Sequence, residues 1–395
     1  MKIVIAAWHL QDFNVGLGRY CRGLIEAIGR VDKENRYEIL MPNDSYRFSP
    51  RPNVRYRLIR FPIFKRRFWE QVAPLLVDRY DLLHFPYDSG VAWKRGKFVV
   101  TVHDIKPLIF GDHGRRRNLN SLVEGILVRN KWARVDHVLT DSQCSRRDMI
   151  ERLGLPAYRL TVVYPGVDLE RFRPASSENE FEVRSSKLNG PGTSNVEPRT
   201  SNGEPRVSNL ELPERRPYVL CVASSDPTKN VETLMEAFAR LPFSLRDAHD
   251  LVLVGDFRRR ADLREQVARA GIEKQTVFTG IVGDDRLIEL YQQATLFAYP
   301  SRYEGFGLPV LEAMACGCPV ISSNASSLPE VTGNAAILVD PSDVAGLACE
   351  MEWVLTDASL RQDLRERGLR QAAQFSWDRT ARETIAVYER VVREG

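Results

Sequence analysis

Apolar positions in the first 174 residues fall into short runs separated by longer stretches with helical spacing. The runs lie at residues 3–7, 81–85, 97–102, 135–140 and 160–164. Near-continuous apolar runs are typical of strands that are buried on both faces. The stretches 18–29 and 120–133 instead repeat their apolar positions with the period of a helix. This alternation predicts a doubly wound parallel α/β sheet.

The same pattern restarts after residue 216. Apolar runs lie at residues 218–222, 250–254, 276–279, 296–299 and 319–322, with helical stretches such as 230–241 and 287–294 between them. We therefore predict Rossmann-like domains at residues 1–174 and 217–376. A helix at residues 377–395 follows, and Ser376 is a suitable N-cap for it.

Residues 175–216 differ in composition from both domains. They are rich in Ser, Asn, Glu, Pro and Arg, and an imperfect seven-residue unit recurs from Ser194, Ser201 and Ser208. Such a segment buries too little apolar surface to offset the entropy lost on ordering it. We predict a disordered inter-domain insertion, and a docking segment for a partner is the alternative.

The overall composition favours a soluble protein of two domains. The chain has 395 residues, of which 43% are hydrophobic and 27% charged. It has no apolar run long enough to predict a transmembrane helix, and its first residues resemble a buried strand more than a signal peptide. Six scattered cysteines without zinc-type spacing favour reduced thiols in the cytoplasm.

The net charge of +4 conceals an asymmetry along the chain. Residues 1–174 carry 31 Lys and Arg against 19 Asp and Glu, and the remainder carries 25 against 33. The basic N-terminal half predicts an anionic partner on that side. No pattern indicates nucleic acid.

The stretch from Ser301 to Glu312 carries the clearest candidate chemistry. A strand precedes it, Gly305 and Gly307 form a glycine loop, and Pro309 suits the first turn of a helix. Free N–H groups at a helix N-terminus suit a phosphate. Glu304 and Glu312 border the same region, and carboxylates accept hydrogen bonds from sugar hydroxyls well.

Three other positions follow predicted strands, where ligands of open α/β sheets collect. Gly16 and Gly18 come after the first strand and allow close approach of a ligand to the backbone. His103 and Asp104 directly follow residues 97–102. Lys229 precedes a helix N-terminus, where a lysine opposes the helix dipole unless it serves an anion.

The spacing of Glu304 and Glu312 resembles the E-x7-E motif of retaining glycosyltransferases of the GT4 family. Further segments that resemble this family are Ser142-Gln-Cys-Ser-Arg-Arg-Asp148, Tyr164-Pro-Gly-Val-Asp168, Arg171-Phe-Arg-Pro174 and Leu328-Pro-Glu330. The resemblance covers nearly the whole chain. It implies the GT-B architecture, in which two Rossmann-like domains face a cleft and a C-terminal helix crosses back to the first domain.

The resemblance also implies a nucleotide-diphosphate sugar as donor, with no further cofactor. Glu304 and His103 would contact the donor sugar, Lys229 would neutralise the diphosphate, and Glu312 would bind the ribose. The other implied donor contacts are Gly16, Gly18, Gly305, Phe306, Gly307 and Leu308 at the diphosphate, and Thr279, Gly280 and Ile281 at the nucleobase. Arg19 and Asp104 would lie on the acceptor side.

One departure from the family pattern and one absence refine this expectation. Ser224 and Ser225 stand where many family members carry an arginine, so the second cation for the diphosphate is unidentified. The chain has no Asp-x-Asp pair of the kind that holds a metal–diphosphate complex in the other glycosyltransferase architecture, and we predict activity without a metal.

The resemblance favours hexosyl transfer (the EC 2.4.1 type) from GDP-mannose to a saccharide or polyprenyl-linked saccharide in surface polysaccharide synthesis. A UDP-sugar-dependent glucosyl- or galactosyltransferase is the first alternative. A GT-B phosphorylase, a sugar-nucleotide epimerase and a non-catalytic sugar-nucleotide-binding protein are the others.

Residues 51–69 interleave basic and aromatic side chains. This pattern is typical of a peripheral contact with anionic lipid on the inner face of the plasma membrane. A solvated basic face that packs on the sheet is the alternative.

Overall fold

The structure is a computed structural model that describes residues 1–12, 16–46, 48–61, 66–91, 93–110, 134–175 and 216–394. The predicted helix at 120–133 and the predicted disordered insertion, apart from residues 175 and 216, lie outside the described residues. The contacts divide the chain into two compact units. Unit 1 contains Met1–Asp168, Tyr303–Leu308 and Gln374–Gly395, and unit 2 contains Leu169–Arg302 and Pro309–Ala373.

Unit 1 is built on a parallel sheet of seven described strands in the order β3-β2-β1-β4-β5-β6-β7. The strands are β1 Lys2–Ala6, β2 Arg36–Met41, β3 Val54–Leu58, β4 Leu82–Phe85, β5 Lys97–Val102, β6 His137–Thr140 and β7 Leu160–Val162. The helices of its first segment are α1 Gly16–Val31, α2 Arg66–Val72, α3 Lys106–Phe110 and α4 Gln143–Leu153. Short 3-10 turns lie at Trp8–Asp12, Ala73–Leu76 and Ala157–Arg159.

Unit 2 repeats this design with six described strands in the order β10-β9-β8-β11-β12-β13, all parallel. They are β8 Tyr218–Val222, β9 Asp250–Val254, β10 Thr276–Gly280, β11 Leu296–Tyr299, β12 Val320–Ser323 and β13 Ile337–Val339. The helices are α5 Val231–Ala239, α6 Phe243–Ala248, α7 Asp262–Arg269, α8 Asp284–Gln293, α9 Leu308–Ala315, α10 Leu328–Thr332, α11 Val344–Thr356 and α12 Ala358–Ala372, with a 3-10 turn at Pro227–Lys229.

The last helix, α13 Trp377–Arg393, belongs to unit 1. The side chain of Ser376 caps it by accepting from the N–H of Arg379, as the sequence predicts. Its apolar face contributes Ala381, Val387 and Tyr388 to the core of unit 1. Trp377 lies so close to Gly23 that a Cβ atom there would come within 2.3 Å of its ring. Glycine at position 23 therefore makes room for the helix.

The predicted doubly wound α/β folds are confirmed, and the structure adds strands that the sequence pattern did not reveal. These are β2, β3 and β13. None of the helices in the described part of the chain is long and apolar enough to cross a membrane.

Candidate active site

Glu312 lies inside α9 in unit 2, as predicted, and is 3% exposed. The hydroxyl of Tyr291, on α8, donates to its Oε2 atom at 3.2 Å. Gly317 ends the helix with a φ of 75°, a conformation that favours glycine. The sequence therefore located this helix and its end correctly, and it missed Tyr291 as the partner of the carboxylate.

The segment that carries Glu304 is fixed within unit 1. The hydroxyl of Tyr303 donates to Oδ2 of Asp148 at 2.8 Å, and the hydroxyl of Ser145 lies 3.3 Å from the carbonyl oxygen of Gly305. A Cβ atom on Gly305 would lie 2.4 Å from the carbonyl oxygen of His103, so only glycine fits there. Glu304 itself is half-buried. Its backbone position is thus set by neighbours on both sides.

The ring of Phe306 continues this packing. Its centroid lies 6.1 Å from that of Tyr164 and 5.7 Å from that of Phe375. Gly307 follows with a φ of 113°, in the region that favours glycine. Leu308 then begins α9, where the N–H groups of the first turn have no partner within the helix. This is the geometry that suits a phosphate.

His103 directly follows β5, as predicted, and both nitrogens of its ring are hydrogen-bonded. Nδ1 lies 2.5 Å from Oδ2 of Asp141, and Nε2 lies 3.2 Å from the carbonyl oxygen of Pro86. Carboxylates and carbonyls only accept, so this arrangement requires a proton on each nitrogen. Burial lowers the pKa of His103, but the charge and hydrogen bond of Asp141 outweigh it and raise the pKa overall. Both acceptors favour the protonated form of the imidazole. The backbone carbonyl oxygen of His103 faces Gly305.

The other predicted residues of unit 1 lie at the same end of the sheet. Gly16 begins α1 and Gly18 is buried in its first turn, so the two glycines open a helix that follows the first strand. Its N–H groups remain suited to an anion. Arg19 is half-buried in that turn. Oδ1 of Asp104 accepts from the N–H of Lys106 at 2.9 Å and so shapes the start of α3.

Lys229 lies just before α5 in unit 2, as predicted, and its Nζ atom donates to the hydroxyl of Tyr299 at 2.9 Å. The hydroxyl of Ser225 donates to the carbonyl oxygen of Asp256 at 2.7 Å. This bond ties the loop after β8 to the loop after β9. The second of these loops carries three arginines, Arg258, Arg259 and Arg260.

The predicted nucleobase segment follows the same edge of the unit 2 sheet. Thr279 and Gly280 end β10, and Ile281 comes next. Gly280 has a φ of 73°, which turns the chain sharply and favours glycine. Thr279 donates from its hydroxyl to the carbonyl oxygen of Gly280 at 2.9 Å.

The sequence did not predict which residues make the contacts that hold the candidate site residues in place. They are Asp141, Ser145, Asp148, Tyr291 and Tyr303. Asp141 directly follows β6, and its place at the carboxyl end of a strand was a usable signal. The described residues contain no group of three His, Cys, Asp or Glu that could hold a metal ion.

Two family profiles match the chain. Residues 16–171 match Glycosyltransferase Family 4, and residues 205–371 match Glycosyl transferases group 1. Together these matches cover most of the chain. The chain belongs to glycosyltransferase family 4.

Individual relatives of this family 4 glycosyltransferase are moderately similar. O-antigen chain mannosyltransferase B of Escherichia coli is 27% identical over 98% of this chain and 100% of that protein. Serotype-specific mannosyltransferase WbdA of Escherichia coli is 31% identical over 77% of this chain. The match covers only 34% of WbdA, so the chain spans about a third of that relative.

Among solved structures, sucrose-phosphate synthase from Thermosynechococcus elongatus is similar with a TM-score of 0.74. It is 20% identical, and the match covers 100% of both chains. At this identity the likeness shows the fold alone, which is GT-B.

Proposed function

We propose that this glycosyltransferase transfers a hexose, with retention of the anomeric configuration, from a nucleotide-diphosphate sugar to a saccharide or polyprenyl-linked saccharide in surface polysaccharide synthesis. GDP-mannose is the favoured donor. The observation that carries the proposal is the match to O-antigen chain mannosyltransferase B along the full length of both chains. The positions of Glu304 and Glu312 in the sequence, one before and one inside α9, support it, because the free N–H groups of a helix N-terminus suit a phosphate.

The proposed chemistry needs no enzyme nucleophile. Glu304 binds hydroxyls of the donor sugar, and Lys229 with the backbone N–H groups of residues 305–308 stabilises the departing diphosphate. The leaving phosphate takes the proton of the acceptor hydroxyl. His103 contributes a fixed positive charge, because both of its ring nitrogens are already donating within unit 1. Glu312 binds the ribose, and Thr279, Gly280 and Ile281 meet the base.

Thermal unfolding in the presence of GDP, UDP or ADP, without added metal, tests the donor class. A nucleotide at 100 times its Kd stabilises the fold by about 2.7 kcal/mol. We expect GDP to give the largest shift, and Glu312→Ala to abolish it. Glu352→Ala, which changes a glutamate on the exposed side of α11, is the matched control.

The outcome of that experiment also separates the alternatives. A larger thermal shift with UDP than with GDP would indicate that the donor is a UDP-sugar. No shift with any nucleotide would contradict the proposal and favour a phosphorylase. If GDP binds, incubation with GDP-mannose and a mannoside acceptor should release GDP, and the anomeric proton of the product should show retention. Full activity after treatment with EDTA is expected, and its loss would contradict a metal-independent reaction.

We further propose that the exposed part of residues 51–69 contacts anionic lipid on the inner face of the plasma membrane. Arg55, Arg67, Leu58 and Phe68 are exposed, the last two by 46% and 40%. Trp69 is only 1% exposed and donates from its ring N–H to the carbonyl oxygen of Ile59, so it packs in the core and cannot reach a membrane. Residues 62–65 lie outside the described residues.

Internal ion pairs reduce the free charge of this surface. Arg57 pairs with Glu38 at 3.2 Å, and Arg60 pairs with Asp44 at 3.1 Å. Flotation with vesicles of anionic or neutral lipid tests the contact. We expect binding to anionic vesicles only, weakened by Arg55→Glu with Arg67→Glu and unchanged by the control Arg79→Glu. Equal flotation with both lipids would contradict it.

A further inference from the structure

Four buried polar side chains are hydrogen-bonded in series through the core of unit 1. The hydroxyl of Tyr388, on α13, lies 2.5 Å from Nδ1 of His84 on β4. Nε2 of His84 lies 2.9 Å from the hydroxyl of Thr101 on β5, and Thr101 makes a side-chain hydrogen bond with Tyr20 on α1. Three of the four residues have no exposed surface, and Tyr20 is 2% exposed. This series, the polar chain, links α13 to α1 through two neighbouring strands.

The donors along the polar chain all point the same way. Burial and the charge of Asp141 raise the pKa of Tyr20, and the hydrogen bond from Thr101 opposes that rise, as a donated bond does. Burial and the charge of His103 lower the pKa of His84 to about 3, so its neutral ring has one donor and one acceptor nitrogen. Nε2 of His84 therefore donates to Thr101, and Nδ1 accepts from Tyr388. The Tyr388 hydroxyl is the first donor of the series.

The polar chain ends beside His103. The ring of Tyr20 meets the imidazole of His103 at an interplanar angle of 80°, with centroids 4.6 Å apart. The two nitrogens of that imidazole bond to Asp141 and to the carbonyl oxygen of Pro86. Two hydrogen bonds and the ring of Tyr20 thus border the imidazole. The orientation of Tyr20 therefore affects where His103 lies.

Helix α13 acts on Tyr20 at two points. The ring of Trp377 lies 5.8 Å from that of Tyr20, centroid to centroid, at an interplanar angle of 72°. The hydroxyl of Tyr20 is reached from Tyr388 through the polar chain. Trp377 and Tyr388 lie on the same helix, about three turns apart. One helix therefore determines both the position of the Tyr20 ring and the hydrogen bond of its hydroxyl.

Packing alone does not require polar side chains at these positions. Replacing both partners of a buried hydrogen bond by apolar groups of the same shape can be neutral or stabilising. A fully bonded polar network instead makes the core rigid and specifies one arrangement of it. Such control of orientation is useful where one imidazole must be placed accurately.

Five titratable groups face His103 from the elements around it. They are Asp141, Asp104, His9, His84 and Tyr20. Burial lowers the pKa of His103, whereas the two carboxylates raise it. The pKa values of His9 and His84 are lowered to about 4 and about 3, and that of Tyr20 is raised. Both histidines are therefore neutral near pH 7 and Tyr20 stays protonated, so His103 is the group of this set that titrates there.

We propose that Tyr388, through the polar chain, is a positioning residue for His103. The proposal rests on the proposed function, in which His103 lies at the donor sugar. A displaced His103 should slow transfer and leave the affinity for the nucleotide unchanged, because the nucleotide is expected to bind to residues of unit 2. The C-terminal helix would then contribute to the reaction without contacting a substrate.

The variant Tyr388→Phe removes the first donor of the polar chain and keeps the ring. With GDP-mannose and a mannoside acceptor, we expect turnover to fall about five-fold, which corresponds to about 1 kcal/mol. The imidazole should also move away from Asp141, so the pKa of His103 should fall. NMR titration of the full chain labelled with 15N-histidine measures this shift. Tyr218→Phe is the matched control, because it is 5% exposed and its hydroxyl donates to the carbonyl oxygen of Leu290 at 2.8 Å.

A double-mutant cycle with Tyr20→Phe tests the route. If Tyr388 acts through the hydroxyl of Tyr20, each single variant should lose a similar factor in turnover, and the double variant should lose no more than either. Losses that multiply would overturn the proposal. Tyr20→Phe also tests the polar chain by itself if Tyr388→Phe does not fold, as urea unfolding would show.

The NMR titration separates positioning from a structural role. A structural hydrogen bond would lower the stability of Tyr388→Phe and of the control alike, and the titration of His103 would not move. An unchanged titration, or unchanged turnover in an active protein, would overturn the proposal. The titration needs no substrate, so it decides the matter even if the wild type binds no nucleotide and the proposed function fails.

Discussion

The hydroxyl of Tyr303 lies 2.8 Å from Oδ2 of Asp148, and this hydrogen bond joins the segment that carries Glu304 to helix α4. The two residues are 155 positions apart in the sequence. The neighbouring hydroxyl of Ser145, also on α4, lies 2.9 Å from the carbonyl oxygen of His103 and 3.3 Å from that of Gly305. Helix α4 therefore fixes both the His103 backbone and the start of the glycine loop.

The variant Tyr303→Phe should reduce turnover without changing nucleotide affinity. Loss of the hydroxyl leaves Asp148 with its contact to Arg152 and costs about 1 kcal/mol of unfolding free energy. Because Glu304 is the next residue, the loop that positions it loosens, and we expect turnover to fall about ten-fold. Steady-state kinetics and nucleotide titration measure the two effects. An unchanged turnover number would show that this bond does not position Glu304.

The variant Gly305→Ala should be more damaging. Its added Cβ atom would lie 2.4 Å from a backbone oxygen of His103, which cannot rotate away. The loop must shift, and a displacement of this size can cost about 100-fold in turnover. Gly283→Ala is the control, because Gly283 has a φ of −72° and a Cβ atom there meets no atom within 4 Å. Similar activity in both variants would contradict the prediction.

The variant Asp141→Asn should move the alkaline limb of the pH profiles of turnover and of stability to lower pH. The carboxylate of Asp141 raises the pKa of His103 against the opposing effect of burial. A raised histidine pKa stabilises the fold below pH ~6.5, and this stability is lost as pH rises through the raised value. Without the carboxylate, burial prevails and the charge is lost earlier. Unfolding and turnover between pH 6 and 9 measure the shift, and superimposable profiles would contradict it.

Acid should destabilise the protein through His84. Burial and the charge of His103 lower the pKa of His84 to about 3, whereas the unfolded chain has a value near 6.5. The unfolded state therefore takes up a proton between these values while the folded state does not. Stability falls as pH decreases through this window, by about 2 kcal/mol at pH 5.

Urea unfolding at pH 7 and pH 5 measures this loss. His84→Gln retains a donor and an acceptor for Tyr388 and Thr101 but cannot be protonated. We expect its stability to decrease less between the two pH values than that of the wild type. His9 and His137, whose pKa values are also lowered, remain in both proteins. An equal decrease in both would exclude His84 as the source.

The sequence predicted the helices, strands and turns that depend on the pattern of neighbouring residues. The central strands are apolar on both faces, and the turn at Gly317 needs glycine because of its positive φ. By contrast, β3 alternates apolar residues with Arg55 and Arg57 at the edge of the sheet. Its solvent-facing positions give it the composition of a basic loop, and so it was missed.

The contacts that complete the candidate site depend on distant pairs, which no local pattern encodes. Asp141 lies 38 residues from His103, and Tyr388 lies 304 residues from His84. Glu304 and Lys229 could be proposed as site residues because their residue types and neighbours suit a sugar nucleotide. The charge state of His103 could not be recognised, because it depends on which acceptors the fold places beside each nitrogen.

The packing of α13 in unit 1 has a consequence for how the protein is made. Tyr388 supplies the partner of His84, and Trp377 fills the space above Gly23, yet both leave the ribosome after all of unit 2. At typical bacterial or eukaryotic elongation rates the first sheet waits on the order of tens of seconds for its last helix. During that interval its apolar surface is uncovered. The N-terminal strands are synthesised first, but their core is the last to be completed.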